Sequence, residues 1–236
     1  AELEPKGHPF LTQSDTEAIL QGYHAWGDDA LKRLNGMFAI ALWDTAKQRL
    51  LLARDPMGEK PLYYAVSDDN WLLFGSEINA VLAGLATTPA IRPDAVADYF
   101  AYGYVPDPKS IFDGIFKLEP GHKLVVERGM DRTALRSEAY WRLSAAAGPT
   151  ISAEDAKEEL LERFGNAVRA RMVSDVPLGA FLSGGVDSSG VVALMAQASD
   201  TPVRTCAMGF PDPKYDETEF AQRVADKYGT DHYREV

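Results

Sequence analysis

The chain has 236 residues, 46% of them hydrophobic and 25% charged, which is ordinary for a globular protein and excludes disorder as its main state. The 35 acidic and 24 basic residues give a net charge of -11, and no basic block interrupts the acidic background. Because this charge would repel the phosphates of a nucleic acid, we expect no nucleic-acid partner.

Cysteine and histidine usage limits the possible sites. The single cysteine, Cys206, allows neither an intrachain disulfide nor a multi-cysteine metal cluster, and it favours a reducing compartment. The four histidines are far apart and lack His-x-x-x-His spacing, so we predict no metal site built from protein ligands alone. Apolar runs such as residues 37–43 are too short to cross a bilayer, and the N-terminus lacks the order of a signal peptide. We therefore expect a cytoplasmic protein without a membrane partner.

From residue 1 to about residue 129, the pattern predicts a sheet covered by helices. Apolar or alternating runs typical of short strands lie at 37–43, 49–54, 62–66 and 71–75. Turn-forming residues separate these runs, which predicts an antiparallel meander. Helices are predicted at 15–26, 77–82 and 93–102, the last with Pro93 in its first turn.

The pattern changes after residue 129. Residues 130–151 contain few periodic apolar positions and include SAAAGPT, which predicts a linker between domains. In the region 152–236, helices are predicted at 152–172, 188–197 and 217–228, and strands at 177–182, at 203–208 and from His232. This alternation of helix and strand is typical of a parallel α/β sheet.

The stretch FLSGGVDSS, at residues 181–189, lies between a predicted buried strand and a predicted helix. The first N–H groups of a helix have no intrahelical partner and carry partial positive charge, so such a turn can bind an anion. Small residues let the backbone approach a ligand, and hydroxyls add donors; these residues are Ser183, Gly184, Gly185, Ser188 and Ser189. The Asp187 carboxylate suits Mg²⁺ that accompanies phosphates. The alternative is a tight turn with a helix cap, but one capping residue would suffice for that.

Two common phosphate-binding patterns are absent from the chain: Gly-x-x-x-x-Gly-Lys-Ser/Thr and Gly-x-Gly-x-x-Gly. The motif Ser-Gly-Gly-x-Asp-Ser-Ser instead resembles the pyrophosphate loop of the ATP pyrophosphatase family, whose members cleave ATP between the α- and β-phosphates. The resemblance implies ATP and Mg²⁺ as ligands, with N–H donors and the cation stabilising the charge on departing pyrophosphate.

Longer stretches resemble the glutamine-hydrolysing asparagine synthetases. MFAIALWD, LLLARDPMGEKPLYY and LLFGSEINAVLA are similar to the second half of their class II glutamine amidotransferase domain. RMVSDVPLGAFLSGGVDSS and YDETEFAQRVADKYGTDHYREV are similar to the start of their synthetase domain. The resemblance implies two domains of α/β and α+β class. Residues 1–129 would be part of an Ntn-hydrolase-like αββα amidotransferase domain, and residues 152–236 the start of a parallel-sheet α/β domain with a PP-loop.

The resemblance also assigns roles to residues of this chain. Pyrophosphate and Mg²⁺ would be held by Ser183, Gly184, Gly185, Asp187, Ser188 and Ser189. Leu182 and Met208 would contact the adenosine, although packing in the strand core explains their side chains equally well. Asp15 would receive the α-amino group of glutamine. The segment 14–17 also fits a capping box, with Ser14 as the cap and Glu17 reaching back.

A second family signature lies at residues 54–61. Its matching residues are Arg54, Asp55, Gly58, Lys60 and Pro61. A turn between two strands explains them, so we assign them no catalytic role.

The chain departs from the family at its catalytic thiol. Family members that hydrolyse glutamine use an N-terminal cysteine, whereas this chain begins with Ala1. Cys206 is predicted in the middle of a strand, where a free thiol commonly serves as a small hydrophobe. We therefore assign no catalytic residue to this chain. We expect it to be an internal fragment of a larger enzyme that makes no asparagine by itself.

For the parent protein, the resemblance implies that ATP adenylates the side-chain carboxylate of aspartate and that ammonia from glutamine displaces AMP. Glutamine, aspartate and ATP would be its substrates, and a homodimer is one possible state. Two alternatives stay open. One is a related adenylating amidotransferase that acts on another acid, exopolysaccharide-associated or β-lactam-forming, and the other is a non-catalytic nucleotide-binding fragment.

Overall fold

The structure is a computed structural model that describes residues 2–131, 135–144, 148 and 150–235. The chain divides into two compact units, Ala1–Ala145 and Ala146–Val236. Both units mix helices and strands, so the mixed α/β character expected from the sequence is confirmed. Among the described residues, no helix has the length and apolar character needed to cross a membrane.

Among its described residues, the first unit contains three α-helices, two 3₁₀ turns and seven strands. Its helices are α1 (Asp15–Trp26), α2 (Ile78–Leu82) and α3 (Pro93–Tyr102), with 3₁₀ turns at Glu4–Lys6 and Gly27–Arg33. Its strands are β1 (Ala39–Asp44), β2 (Arg49–Arg54), β3 (Tyr63–Val66), β4 (Leu72–Gly75), β5 (Ile115–Lys117), β6 (His122–Glu127) and β7 (Ser137–Ala139). The predicted helices and first four strands are confirmed, with ends that differ by at most two residues.

The predicted four-stranded meander is wrong, because its strands belong to two antiparallel sheets. One sheet has the order β1-β2-β6-β7 and the other has the order β4-β3-β5. The hairpins β1/β2 and β3/β4 form as expected, but the second edge of β2 pairs with β6 rather than with β3. Strand β7 pairs with β6 and lies within residues 130–151, the segment predicted as a linker. The predicted domain limits stay a prediction.

Successive residues of β2 belong to two different hydrophobic cores, as the alternation of side chains along a strand requires. Leu51 packs with Leu42 of β1 and with partly buried residues of α1. Leu52, which is fully buried, packs on the other face with Leu62, Leu118 and Leu124. The β1-β2-β6-β7 sheet is therefore covered on both faces, which explains why β2 lacks polar residues between its two arginines.

The second unit has the alternation of helix and strand that the sequence predicts. Its elements are α4 (Ala153–Arg171), β8 (Gly179–Phe181), α5 (Val186–Ala198), β9 (Arg204–Met208), α6 (Thr218–Tyr228) and β10 (Asp231–Glu235). The three strands are parallel and lie in the order β10-β9-β8. Ser152 caps α4 by accepting a hydrogen bond from the Asp155 N–H at 3.1 Å. The predicted parallel sheet is confirmed.

Candidate functional site

The predicted phosphate-binding stretch follows β8, at the carboxyl end of the parallel sheet. We call residues 183–189 the SGG loop. Leu182 continues β8 by donating its N–H to the Cys206 carbonyl at 2.8 Å, and α5 then begins at Val186, two residues earlier than the sequence predicts. Asp187, Ser188 and Ser189 therefore lie in the first turn of α5. The SGG loop joins a strand end to a helix N-terminus, the geometry expected of an anion-binding turn.

Hydrogen bonds within the SGG loop connect its first serine to the helix. The hydroxyls of Ser183 and Ser188 lie 3.0 Å apart, and the Ser183 hydroxyl also accepts the Gly185 N–H at 3.3 Å. The Ser183 N–H donates to the Ser188 hydroxyl at 3.3 Å. Gly185 is the N-cap residue and has no side chain, so it leaves the first N–H groups of α5 without a side-chain cap. Those N–H groups, together with the serine hydroxyls, are donors suited to phosphate oxygens.

Position 184 requires glycine because of both its backbone conformation and the atoms around it. Its φ angle is +80°, in the left-handed region that favours glycine. A Cβ atom at this position would lie too close to both the Phe220 Cβ and the Ala221 backbone nitrogen, the latter at 2.6 Å. Both distances are shorter than real Cβ contacts, and the Ala221 backbone lies in the first turn of α6. The SGG loop therefore rests directly on the N-terminal turn of α6.

The acidic residue of the SGG loop faces solvent. Asp187 is exposed in the first turn of α5, whereas Ser188 and Ser189 are half-buried. In the part of the chain that the structure describes, no group of three or more His, Cys, Asp or Glu is placed to hold a metal ion. An exposed carboxylate could supply one ligand to Mg²⁺ whose other ligands come from phosphate oxygens and water, as is common in nucleotide sites.

The two predicted adenosine contacts occupy different environments. The Leu182 side chain is 1% exposed and packs in the core with Val192 and Ala221. Met208, at the end of β9, is 70% exposed. A nucleotide at this edge of the sheet could therefore meet the Met208 side chain directly, whereas Leu182 could offer only backbone groups.

Asp15 is the first residue of α1, in the first unit, and its side chain is exposed. Ser14 caps this helix as predicted, by accepting the Thr16 N–H at 3.1 Å. The predicted partner of Glu17 is wrong: its carboxylate accepts the N–H groups of Leu11 and Thr12, each at 2.7 Å, rather than that of Ser14. These hydrogen bonds, together with one from the Thr12 hydroxyl that contributes most, lower the pKa of Glu17. The Glu17 side chain therefore connects α1 to the backbone of the residues that precede Asp15 in the chain.

The signature at residues 54–61 forms a turn, as the sequence predicts. The Asp55 carboxylate is fully buried and accepts the N–H groups of Phe38, Met57, Glu59 and Lys60 at 2.9–3.3 Å. The Arg54 guanidinium donates to the carbonyls of Gly58, Lys60 and Leu118 at 2.7–2.8 Å. These contacts hold the turn that connects β2 of the first sheet to β3 of the second.

Comparison with known protein families gives two matches that follow the order of the two units. The family model of the glutamine amidotransferase domain matches residues 1–141, and that of asparagine synthase matches residues 159–236. The chain belongs to the glutamine-hydrolysing asparagine synthetase family. Within this family, the SGG loop lies in the asparagine synthase segment and Asp15 lies in the amidotransferase segment.

Individual relatives support the same assignment. A provisionally named glutamine-hydrolysing asparagine synthetase 2 of Methanocaldococcus jannaschii is 40% identical over 94% of this chain and 43% of its own length. Glutamine-hydrolysing asparagine synthetases 3 and 1 of Bacillus subtilis are 32% and 33% identical over 99% and 100% of this chain, and over 39% and 36% of their own lengths. The chain thus spans about two fifths of the length of the curated relatives that it matches.

One polar residue of the asparagine synthase segment was not predicted from the sequence. Asp216 is half-buried beside the start of α6, where its carboxylate accepts both the N–H and the hydroxyl of Thr218. The spacing Asp-x-Thr at the start of a predicted helix was the available signal. Cys206 is half-buried in β9, in the strand where the sequence places it.

Proposed function

We propose that the protein containing this chain is an asparagine synthetase that uses glutamine as its nitrogen donor. The SGG loop would bind the β- and γ-phosphates of ATP while an oxygen of the aspartate side chain attacks the α-phosphorus. The bond between the α-phosphorus and the bridging oxygen then breaks, and pyrophosphate leaves with the bonding electrons. Ammonia released from glutamine would next attack the acyl carbon of aspartyl-AMP, so that AMP leaves and asparagine forms.

The arrangement of hydrogen-bond donors in the SGG loop is the main support for this proposal. Negative charge accumulates on pyrophosphate as it leaves, and preorganised N–H donors at a helix N-terminus stabilise such charge without having to reorganise. The donors would be the first N–H groups of α5 and the hydroxyls of Ser183, Ser188 and Ser189. The exposed Asp187 carboxylate is suited to bind the Mg²⁺ of the nucleotide, and that cation would neutralise part of the charge on the phosphates.

Asp15 would bind the α-amino group of glutamine, for which an exposed carboxylate is chemically suited. Met208 would contact the adenosine through its side chain, and Leu182 through its backbone. We also propose an Ntn-hydrolase-like fold for the amidotransferase domain, a PP-loop fold for the synthetase domain, a cytoplasmic location and a homodimeric state.

The acceptor acid can be tested by ATP–pyrophosphate exchange in the full-length protein. We expect radioactive pyrophosphate to enter ATP when L-aspartate is present, and not with glutamate or with larger carboxylic acids. Asp187→Asn should lower this exchange about 100-fold, as expected for loss of a charged ligand to the metal–phosphate complex. Asp200→Asn, at an exposed position after the opposite end of α5, is the matched control and should exchange normally. Exchange that requires a different acid would contradict aspartate as the acceptor.

A further inference from the structure

The support behind the SGG loop comes from the first turn of α6. Phe220 and Ala221 lie in that turn, and their atoms leave no room for a side chain at Gly184. The position of the Gly184 backbone therefore depends on where α6 begins. A shift of this turn by a few tenths of an ångström would be transmitted to the N–H groups of Gly184 and Gly185, because packed atoms in contact leave no gap to absorb it.

Asp216 fixes the beginning of α6. Its Oδ1 atom accepts the Thr218 N–H at 3.1 Å and the Thr218 hydroxyl at 2.7 Å, and Thr218 itself is 1% exposed. The N-cap residue Glu217 makes no side-chain cap, and Asp216 instead accepts one of the N–H groups that the start of a helix leaves without an intrahelical partner. The hydrogen bond from the Thr218 hydroxyl contributes most to lowering the pKa of Asp216.

A second contact links Asp216 to the sheet. Its Oδ2 atom lies 3.5 Å from the guanidinium of Arg234, near the end of β10. This pair is partly exposed, with 44% of the Arg234 side chain and 21% of the Asp216 side chain accessible, and an ion pair of this kind contributes little by itself. The hydrogen bonds to Thr218 are therefore the main connection, and the ion pair only orients the carboxylate.

We propose that Asp216 is a positioning residue for the SGG loop, acting through Thr218 and the first turn of α6 on the backbone of Gly184. The inference deepens the proposed function and rests on it, because it assigns Asp216 a part in ATP binding. Asp216 does not touch the nucleotide in this scheme. Loss of its hydrogen bonds should loosen the turn behind Gly184, so that the N–H donors of the SGG loop are no longer held in place before ATP binds.

The test compares the full-length protein with its Asp216→Ala, Asp216→Asn and Asp212→Ala variants. Asparagine carries a side-chain oxygen and caps helices about as well as aspartate, so it should preserve the hydrogen bonds to Thr218. Asp212 is the matched control: it is exposed in the same segment, and its carboxylate accepts the Lys214 N–H at 3.0 Å. Two quantities are measured: amide hydrogen exchange of residues 183–189 without nucleotide, and the affinity for ATP with Mg²⁺ by calorimetry.

We expect Asp216→Ala to accelerate exchange in the SGG loop about tenfold and to weaken ATP binding about tenfold, the effect of losing one helix cap. Asp216→Asn should restore both quantities to within about twofold, and Asp212→Ala should change neither. Faster exchange confined to α6, or an Asp216→Asn variant as impaired as Asp216→Ala, would overturn the inference. If the unsubstituted protein binds no ATP, the proposed function fails, and hydrogen exchange still decides whether Asp216 positions the loop.

Discussion

The guanidinium of Arg49 forms a two-point ion pair with the carboxylate of Asp28, with both N–O distances at 2.6 Å. Lys123 of β6 reaches the same carboxylate at 2.6 Å, so Asp28 joins the 3₁₀ turn after α1 to two strands of the first sheet. The Arg49 hydrogen bond is the largest of the effects that lower the pKa of Asp28 from its ordinary value of 3.8 to about 2. The side chains are 14–22% exposed, so water screens the cluster only partly.

We expect Asp28→Asn to lower the free energy of unfolding by about 2 kcal/mol at pH 7, which is the size of the stabilisation that the pKa shift represents. Because the pKa is lower in the folded state, this stabilisation is complete above about pH 4 and disappears as the pH falls toward 2. Urea unfolding of both proteins at pH 7 and pH 3 measures the difference. Asp29→Asn, at a neighbouring carboxylate whose side chain is 71% exposed, should have almost no effect. If the difference in unfolding free energy between the unsubstituted protein and Asp28→Asn stays constant down to pH 2, the stabilisation does not come from the ionised Asp28 carboxylate.

A larger loss of stability is expected at Asp55. Its carboxylate accepts four backbone N–H groups in a fully buried position; burial raises its pKa, the four hydrogen bonds lower it, and the net shift is downward. Asp55→Asn replaces one acceptor oxygen by an NH₂ group that faces backbone donors. We expect a loss of about 3 kcal/mol, measured by urea unfolding at pH 7, since buried donors would be left without partners.

Asp69→Asn serves as the control for Asp55, because Asp69 is exposed in the turn between β3 and β4 of the same unit. It should unfold with nearly the same midpoint as the unsubstituted protein. Equal destabilisation by the two substitutions would argue against a special role for the Asp55 hydrogen bonds. The contribution of Asp55 should also fall as the pH is lowered through its depressed pKa, since protonation removes acceptor capacity.

Local sequence patterns predicted the elements well where a cap or a turn marks their ends. The bounds of α1 follow from the Ser14 cap and from Gly27, whose φ angle of +59° ends the helix. Helix α5 begins earlier than predicted because its N-cap is Gly185, which offers no side-chain signal. The pairing of β2 with β6 was not predictable, since it joins Arg49 to Glu127, and residues so distant in sequence leave no local pattern.

The candidate site was predictable to the extent that it is contiguous in sequence. Ser183, Gly184 and Asp187 lie in one motif, so their chemistry is visible in the sequence. The contact of Gly184 with Phe220 arises from packing of α6 against the parallel sheet, and neither residue predicts the other. Asp55 was interpreted only as a turn residue because its role consists of backbone hydrogen bonds, which have no counterpart in the pattern of side chains.

The proposed glutamine site can be tested with Asp15→Asn in the full-length protein. Removing the negative charge should raise the KM for glutamine at least tenfold, because a charged partner of an amino group commonly contributes over 1.4 kcal/mol. Asparagine formation from added ammonium should be unchanged, since that reaction does not require bound glutamine. Ser14 supplies the cap of α1, so the helix should remain intact. Equal loss of the ammonium-dependent and glutamine-dependent rates would contradict the assignment.

The two glycines of the SGG loop should respond very differently to alanine. Gly184→Ala forces a Cβ atom to within 2.6 Å of the Ala221 backbone at a φ angle of +80°, so it should displace the loop from α6 and reduce affinity for ATP with Mg²⁺ more than 100-fold. Gly185 has a φ angle of -67°, and its added Cβ would meet only the Ser183 hydroxyl, at 3.3 Å.

Gly185→Ala should therefore keep the fold of the second unit, and its melting temperature should stay within a few degrees of that of the unsubstituted protein. Gly184→Ala should lower the melting temperature clearly, because the added Cβ atom would collide with backbone atoms of α6. Backbone atoms cannot move away by changing rotamer, so the strain would remain. Calorimetry of both variants, with and without ATP, separates the effect on folding from the effect on binding. If Gly184→Ala has the same melting temperature and ATP affinity as Gly185→Ala, the SGG loop does not depend on its contact with α6. The close approach of Gly184 to that helix would then contribute nothing to ATP binding.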